Sequence, residues 1–207
     1  MSNPEYVKGD PHEQVEKNKT EIMHLFSGIM QLAGIDPNTH DTKRTPERFW
    51  EVLMYATKGY PQEVTLERTY EDSANPDFPV MRISTGIPFV SFCEHHWMPF
   101  IGTVDIAYIP KGEVTGMSKL PQVVEKYAHR FQNQERMTEQ IAEEIWTIVK
   151  PMGVMVVSKG MHSCERVEGY RRDGPYVCSA VRGVFTKETN PRNEVLGLLN
   201  SIDLNTI

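Results

Sequence analysis

Two short segments hold most of the residues whose types and spacing suit chemistry. One is Phe92-Cys93-Glu94-His95-His96 and the other, far along the chain, is Met161-His162-Ser163-Cys164. Cys93 and His96 have the two-residue gap of a metal-binding knuckle, and Cys164 would complete a set of two thiolates and one imidazole. Three protein ligands leave the fourth tetrahedral position of a zinc ion to water, which separates a catalytic zinc from a closed structural one. Zinc held this way brings the pKa of its water down to about 7 and supplies hydroxide at neutral pH. His95 and His162 are left over, each within two residues of a ligand, and histidine is the side chain best suited to move protons near neutral pH. A hydroxide flanked by two proton carriers describes a hydrolytic site.

Plainer readings use the same residues. His95 and His96 would serve as packing and hydrogen-bonding groups at a strand end, and Cys164 as a buried thiol, the usual state of free cysteine. A closed structural zinc would take His95 or His162 as its fourth ligand. Cys178, between Val177 and Ser179, reads as a core residue of a strand.

Composition narrows the setting. Three widely spaced cysteines are an odd number and do not make a disulfide framework, which fits a reducing cytoplasm. With 207 residues, 39% of them hydrophobic, the chain can build one domain with a real core plus an N-terminal helical extension. No stretch approaches the roughly 20 apolar residues of a membrane span, and the polar N-terminus lacks a secretory h-region. A cytoplasmic protein with no membrane partner is expected. The net charge of -6 argues against nucleic acid, which asks for a basic face. It does not argue against a small anion, which a few local Lys and Arg can hold.

The elements that must position these residues follow from periodicity. Residues 1–12 are polar and expected to be loose. Ile22, Leu25, Phe26, Ile29 and Leu32 fall at helical spacing in a helix from Glu13 to Leu32, ended by Gly34 and Pro37. Thr45 is expected to cap a second helix, with Pro46 in its first turn, running to Gly59. Phe78 to Phe92 and Phe100 to Pro110 read as strands. Ser118 to Arg130 suits a helix, and Thr138 is expected to cap another that ends at Pro151. Gly153 to Lys159 and Tyr176 to Phe185 read as further strands. The order predicts an α+β fold, an antiparallel sheet with helices on one side. It is expected to divide into a flexible segment 1–12, a helical region 13–75 and a domain 76–207 that carries the candidate zinc-containing catalytic site.

At this point the sequence resembles the GTP cyclohydrolase I family. The likeness runs through Cys93-Glu94-His95-His96, Pro99-Phe100, Gly102 and Ile106-Ala107-Tyr108-Ile109-Pro110. It continues through Gly116-Met117-Ser118-Lys119-Leu120, Gln132-Asn133-Gln134-Glu135-Arg136, Thr138, His162-Ser163-Cys164 and Arg182-Gly183-Val184-Phe185, with Thr45-Pro46-Glu47-Arg48 upstream. The resemblance implies a tunnelling fold (T-fold) whose sheets join into an oligomeric barrel, in a homo-oligomeric ring of ten. It implies Zn2+ on Cys93, His96 and Cys164, and attack of water on C8 of a guanine nucleotide with His162 as proton donor and release of formate. It further implies His95, Ser118 and Lys119 in ribose opening and reclosure, and Gln134 and Glu135 at the guanine edge. Arg48 would reach the pocket of a neighbouring copy. A carboxylate accepting two guanine N–H bonds rejects adenine, whose edge leaves it unpaired.

Three positions depart from the family pattern. Gln122 stands where an Arg follows the Ser-Lys-Leu motif, Glu168 where an Arg precedes the glycine after the second zinc cysteine, and Glu51 where a basic residue follows Arg48. In the family these basic residues serve the triphosphate. The segment from Gly169 to Tyr176 is one residue shorter than usual. Arg166, Arg171, Arg172 and Lys159 are candidate replacements. The departures leave open a substrate with fewer phosphates, such as GMP or dGMP, or a non-catalytic zinc-binding regulatory homologue. An enzyme that stops at the ring-opened intermediate also stays open.

Overall fold

The computed structural model describes residues 9–64, 69–73, 80–170 and 173–203. The chain divides into two compact units, with the boundary between Gln62 and Glu63. The N-terminal unit contains α1 (Pro11–Lys17), α2 (Lys19–Leu32) and α3 (Thr45–Thr57). Residues 1–8 of the segment expected to be loose lie outside the described residues. Its last residues are helical, because the Asp10 carboxylate accepts from the His12 N–H at 2.8 Å and Pro11 occupies the first turn.

The single helix expected over 13–32 is two. Asn18 breaks it, bonding its own side-chain amide back to the Gln14 carbonyl at 2.9 Å, a local alternative to continuing the helix. Thr45 is not the cap of α3: it is already helical, Arg44 holds the cap position, and no side chain bonds the free N–H groups there. Within the unit, Phe26 of α2 stacks on Phe49 of α3 with centroids 4.0 Å apart, and the Trp50 indole donates to the Val15 carbonyl at 3.0 Å.

The second unit is built on a five-stranded sheet. Its chain order is β1 (Thr69–Glu71), β2 (Arg82–Cys93), β3 (Pro99–Ile109), β4 (Glu113–Thr115), α4 (Lys119–Ala128), β5 (Phe131–Gln132), α5 (Gln134–Val149), β6 (Gly153–His162), α6 (Ser163–Val167), β7 (Tyr176–Gly183), α7 (Val184–Lys187) and α8 (Thr189–Asp203). The sheet order is β5-β2-β3-β6-β7, antiparallel except for β5 beside β2; β1 and β4 form a separate ribbon. The strand expected from Phe78 begins at Arg82, and Phe78 itself lies outside the described residues. β6 runs on past Lys159 to His162, and β7 stops at Gly183, leaving Phe185 in α7.

Side chains alternate across each strand, so one face carries Val104, Ile106, Val154, Val156 and Ala180. These pack against Leu120, Val123 and Val124 of α4 and Met137, Ile141 and Ile145 of α5, where spacing of four keeps the apolar residues on one stripe. Thr138, expected to cap α5, lies inside it. The helix starts four residues earlier at Gln134, where the Asn133 side chain accepts from the Arg136 N–H at 2.8 Å, and the Thr138 hydroxyl bonds back to the Gln134 carbonyl. Helices on one side only is also corrected: Ala107, Met155 and Val157 on the opposite face are buried with Phe185 of α7 and with Val195 and Leu199 of α8. No helix among the described residues is long and apolar enough to cross a membrane.

Gly183 makes the turn from β7 into α7 at φ 63°, and a Cβ there would lie 2.2 Å from the Met152 carbonyl oxygen. That conformation costs an L side chain about 1–3 kcal/mol before the clash is counted. Gly183→Ala is therefore expected to destabilise by at least about 2 kcal/mol, or roughly 4–8 °C in Tm for a chain this size. An unchanged melting temperature would contradict this account of the turn.

Candidate active site

Strand register brings the distant motifs together. Phe92 pairs with Pro99 across β2 and β3, and Phe100 pairs with His162 across β3 and β6. The end of β2 and the end of β6 therefore lie at one end of the sheet, two strands apart. On the other side of β2 the short β5 pairs Cys93 with Gln132, which places the start of α5 at the same end.

The turn after β2 is closed by the Cys93 N–H on the Met98 carbonyl and the Trp97 N–H on the Cys93 carbonyl, both at 2.8 Å. Trp97 takes a left-handed conformation, φ 57°, which costs a non-glycine residue about 1–2 kcal/mol. Its ring packs on Phe131 with centroids 4.7 Å apart. Glu94 anchors the same turn. Arg136 grips its carboxylate with two N–H donors at 3.2 and 2.6 Å, and Asn133 adds a third bond at 3.1 Å. Burial pushes the Glu94 carboxyl up, but the Arg136 guanidinium and the Asn133 amide more than offset it and hold it below its ordinary value.

Cys93, His96 and Cys164 each present one ligand atom, and these atoms lie within 4.8 Å of one another. The His96 Nδ1 is 3.6 Å from the Cys93 sulfur. Tetrahedral zinc with bonds of about 2.3 Å to sulfur and 2.0–2.1 Å to nitrogen sets that separation at about 3.6 Å. The thiols are buried, and burial followed by the neighbouring Cys93 pushes the Cys164 thiol up. A divalent cation removes both penalties, so the donor set fits zinc in chemistry as well as spacing.

His162 sits against this group with its Nδ1 4.0 Å from the Cys164 sulfur, its ring stacked on Phe100 at a centroid distance of 4.4 Å. Its Nε2 meets the Gln134 Oε1 at 3.0 Å. Gln134, expected at the guanine edge, is 1% exposed, and its NH2 donates to the Ser158 and Tyr176 carbonyls at 3.2 and 2.9 Å. Two carbonyl partners fix which end of the amide is nitrogen, so its oxygen must accept from His162, and Nε2 carries the proton in the neutral ring. The arrangement needs Gly160: a Cβ there would lie 2.4 Å from the Gln134 oxygen. The neighbouring Glu135 is exposed and accepts a 2.7 Å hydrogen bond from the Tyr176 hydroxyl. His95 is also exposed, its Nδ1 3.9 Å from the Cys93 sulfur. Ser118 and Lys119 open α4, and no hydrogen bond joins them to Cys93, His96 or Cys164. Arg48 lies on α3 of the other unit.

The sequence model of the GTP cyclohydrolase I family matches residues 22–200. The chain belongs to the GTP cyclohydrolase I family. The GTP cyclohydrolase 1 of Campylobacter curvus is 40% identical over 177 residues, covering 84% of this chain and 91% of that protein. That of Synechococcus sp. is 39% identical over 197 residues, covering 94% and 85%. That of Hyperthermus butylicus is 36% identical over 182 residues, covering 88% and 91%. Among solved structures, the archaeosine synthase QueF-Like in the apo form aligns at 21% identity and a TM-score of 0.43, over 51% of this chain and 96% of its own, too slight a likeness to carry an argument. The sheet backed by α4 and α5 is the α+β tunnelling fold of the GTP cyclohydrolase I family.

Against the GTP cyclohydrolase I pattern, each departure has a definite place. Glu51 is exposed on α3. Gln122 offers its amide oxygen to the Lys119 ammonium at 3.5 Å. The Glu168 carboxylate stands 3.0 Å from the His96 Nε2. Of the candidate replacements, Lys159 pairs with Asp105 at 3.4 Å, Arg166 is exposed, and Arg171 and Arg172 lie outside the described residues. Cys178 is half-buried, not core as expected. Burial and then the Glu135 carboxylate push its thiol from 9.0 up to about 11.

A raised thiol pKa makes the folded chain hold that proton more tightly than the unfolded chain. Its contribution to stability is complete below pH 9.0 and is lost as pH rises through about 11. Iodoacetamide labelling of Cys178, followed by peptide mass mapping, is expected to rise with a midpoint near 11 and to shift down in Glu135→Gln. A midpoint at 9.0 in the folded protein would contradict the placement of Cys178 beside Glu135.

Proposed function

We propose that this chain is a zinc-dependent hydrolase that opens the imidazole ring of GTP, releases formate and forms 7,8-dihydroneopterin triphosphate. The observation that carries the reading is the three-ligand group of Cys93, His96 and Cys164 with the His162 ring fixed beside it, in a member of the GTP cyclohydrolase I family. Held by those ligands, zinc would supply Lewis-acid activation of water for hydrolysis at C8 of the purine.

The chain's own residues do the rest. In its protonated form His162 delivers a proton from Nδ1 to the imidazole nitrogen as the ring opens, while Gln134 keeps the other proton on Nε2. Glu135, steadied by Tyr176, accepts from the guanine N–H groups. Gln134 takes no direct part at the base in this reading; its amide holds His162. His95, with Ser118 and Lys119 near the sugar, assists ribose opening and reclosure. Arg48 serves the substrate from a neighbouring copy in a homo-oligomer, a ring of ten.

A second reading keeps the chemistry but shortens the substrate to GMP or dGMP. It is favoured by the Glu168 carboxylate at His96 and by the neutral Gln122 beside Lys119. Each charge-assisted phosphate contact is worth roughly 1.5–3 kcal/mol, so losing two such contacts weakens a triphosphate most. Zinc-loaded protein is to be assayed side by side with GTP, GDP, GMP and dGMP for formate and pterin fluorescence. Turnover led by GTP is the expected result. Turnover led by a monophosphate would select the second reading, and equal rates with GTP and GMP at low substrate would exclude it. Bound zinc with no turnover of any of the four, judged by product mass as well as formate, would contradict both and point to a zinc-binding regulatory homologue.

A further inference from the structure

We infer that Glu168 is a positioning residue for the metal centre: its carboxylate accepts the Nε2 proton of His96 and turns the Nδ1 lone pair of that ring toward the two thiols. The inference deepens the zinc reading and rests on it. Its ground is geometric. Glu168 Oε1 is 3.0 Å from His96 Nε2, and His96 Nδ1 is 3.6 Å from the Cys93 sulfur, so the two ring nitrogens face a carboxylate and a thiol respectively.

The local fold explains how the carboxylate gets there. Cys164 lies in the first turn of α6 and Glu168 forms its C-cap, with the Glu168 N–H on the Cys164 carbonyl at 3.0 Å. Residues four apart on a helix share a face, so one short turn presents a thiol ligand and, just beyond it, a carboxylate to the same neighbour. A neutral imidazole can carry its proton on either nitrogen. An ionised carboxylate only accepts, so its partner must be Nε2–H, and Nδ1 keeps the lone pair a metal requires. Carboxylate partners of this kind orient ligand histidines and raise their basicity. The side chains of His96 and Glu168 are 41% and 46% exposed, and an ion pair so open adds little to folding stability. Its effect falls on the ligand ring. An Arg at this position carries no acceptor, so it cannot take the Nε2 proton of His96.

The test compares wild type with Glu168→Gln, Glu168→Arg and Glu168→Asp. Zinc stoichiometry and dissociation constants are read by chelator competition, and the thiolate charge-transfer and d–d bands are read after cobalt substitution. Melting curves of the zinc-free proteins check that folding is intact. Zinc is expected to bind about 10–100-fold more weakly to Glu168→Gln and at least as weakly to Glu168→Arg, with shifted cobalt bands and partial recovery in Glu168→Asp. Unchanged zinc affinity and cobalt spectra in both Glu168→Gln and Glu168→Arg would overturn the inference. It would also be overturned if only KM for the nucleotide moved, since Glu168 would then act on substrate charge alone. Wild-type protein that binds no zinc would remove the zinc reading itself, an outcome seen before any variant is compared.

Discussion

Two thiols from distant parts of the chain, Cys93 and Cys164, are held side by side under cover at one end of a sheet, and most of the second unit serves to put them there. Cys164 does not ionise readily in that position: burial opposes its thiolate, and the neighbouring Cys93 adds to the opposition. A buried thiol held against its own ionisation beside a second thiol suits a cation. The pairing depends on register. A one-residue slip of β3 against β2 or β6 would turn every side chain of the strand to the other face and pull the two ends apart. Ten residue pairs between β3 and β6, with Gly102 opposite Gly160, hold that register.

Around the thiols the polar groups are committed in layers. Arg136 and Asn133 hold Glu94, and with it the turn that carries His95 and His96. Gln134, from the same helix start, holds His162 through an amide whose other end is fixed by two strand carbonyls. The first turn of α5 therefore supports both histidine-bearing segments while its other face completes the core. Buried polar groups linked this way are costly to break singly, because removing one leaves its partners desolvated and unpaired, at about 1–3 kcal/mol each. The proton of His162 is thus set by backbone carbonyls two steps away.

Much of this was legible in the sequence. The α+β order and the helical stripes of α4 and α5 follow from residue type and period, Cys93, His96 and Cys164 stood out as a candidate group that the structure brings together, and several motifs in order pointed to the family. What the sequence hid was contact between residues of unremarkable type. Nothing in Glu94 or Arg136 says that they meet, because the short β5 that aligns them is two residues long. Gln134 reads as a polar residue free for a ligand until the strands show it enclosed. Thr138 is a good capping residue by type, yet Asn133 lies five residues earlier with the extended backbone a cap requires, and it prevails. Glu168 read as a lost cation, a statement about what is missing; its position one helical turn after Cys164 carried the other meaning, visible only once His96 was placed. α8 escaped notice because its apolar residues do not form a single stripe: Val195 and Leu199 are buried while Leu196 and Leu198 are exposed.

The proposed zinc site is open, with two sulfur ligands and one nitrogen ligand. Zinc K-edge absorption spectroscopy on the zinc-loaded full chain without substrate tests it most directly. The account predicts two sulfur scatterers at about 2.3 Å, one imidazole nitrogen at about 2.0–2.1 Å and one light-atom ligand that exchanges with solvent. A shell of two sulfurs and two imidazoles, with His95 or His162 closing the site, would contradict it, as would a shell with no sulfur.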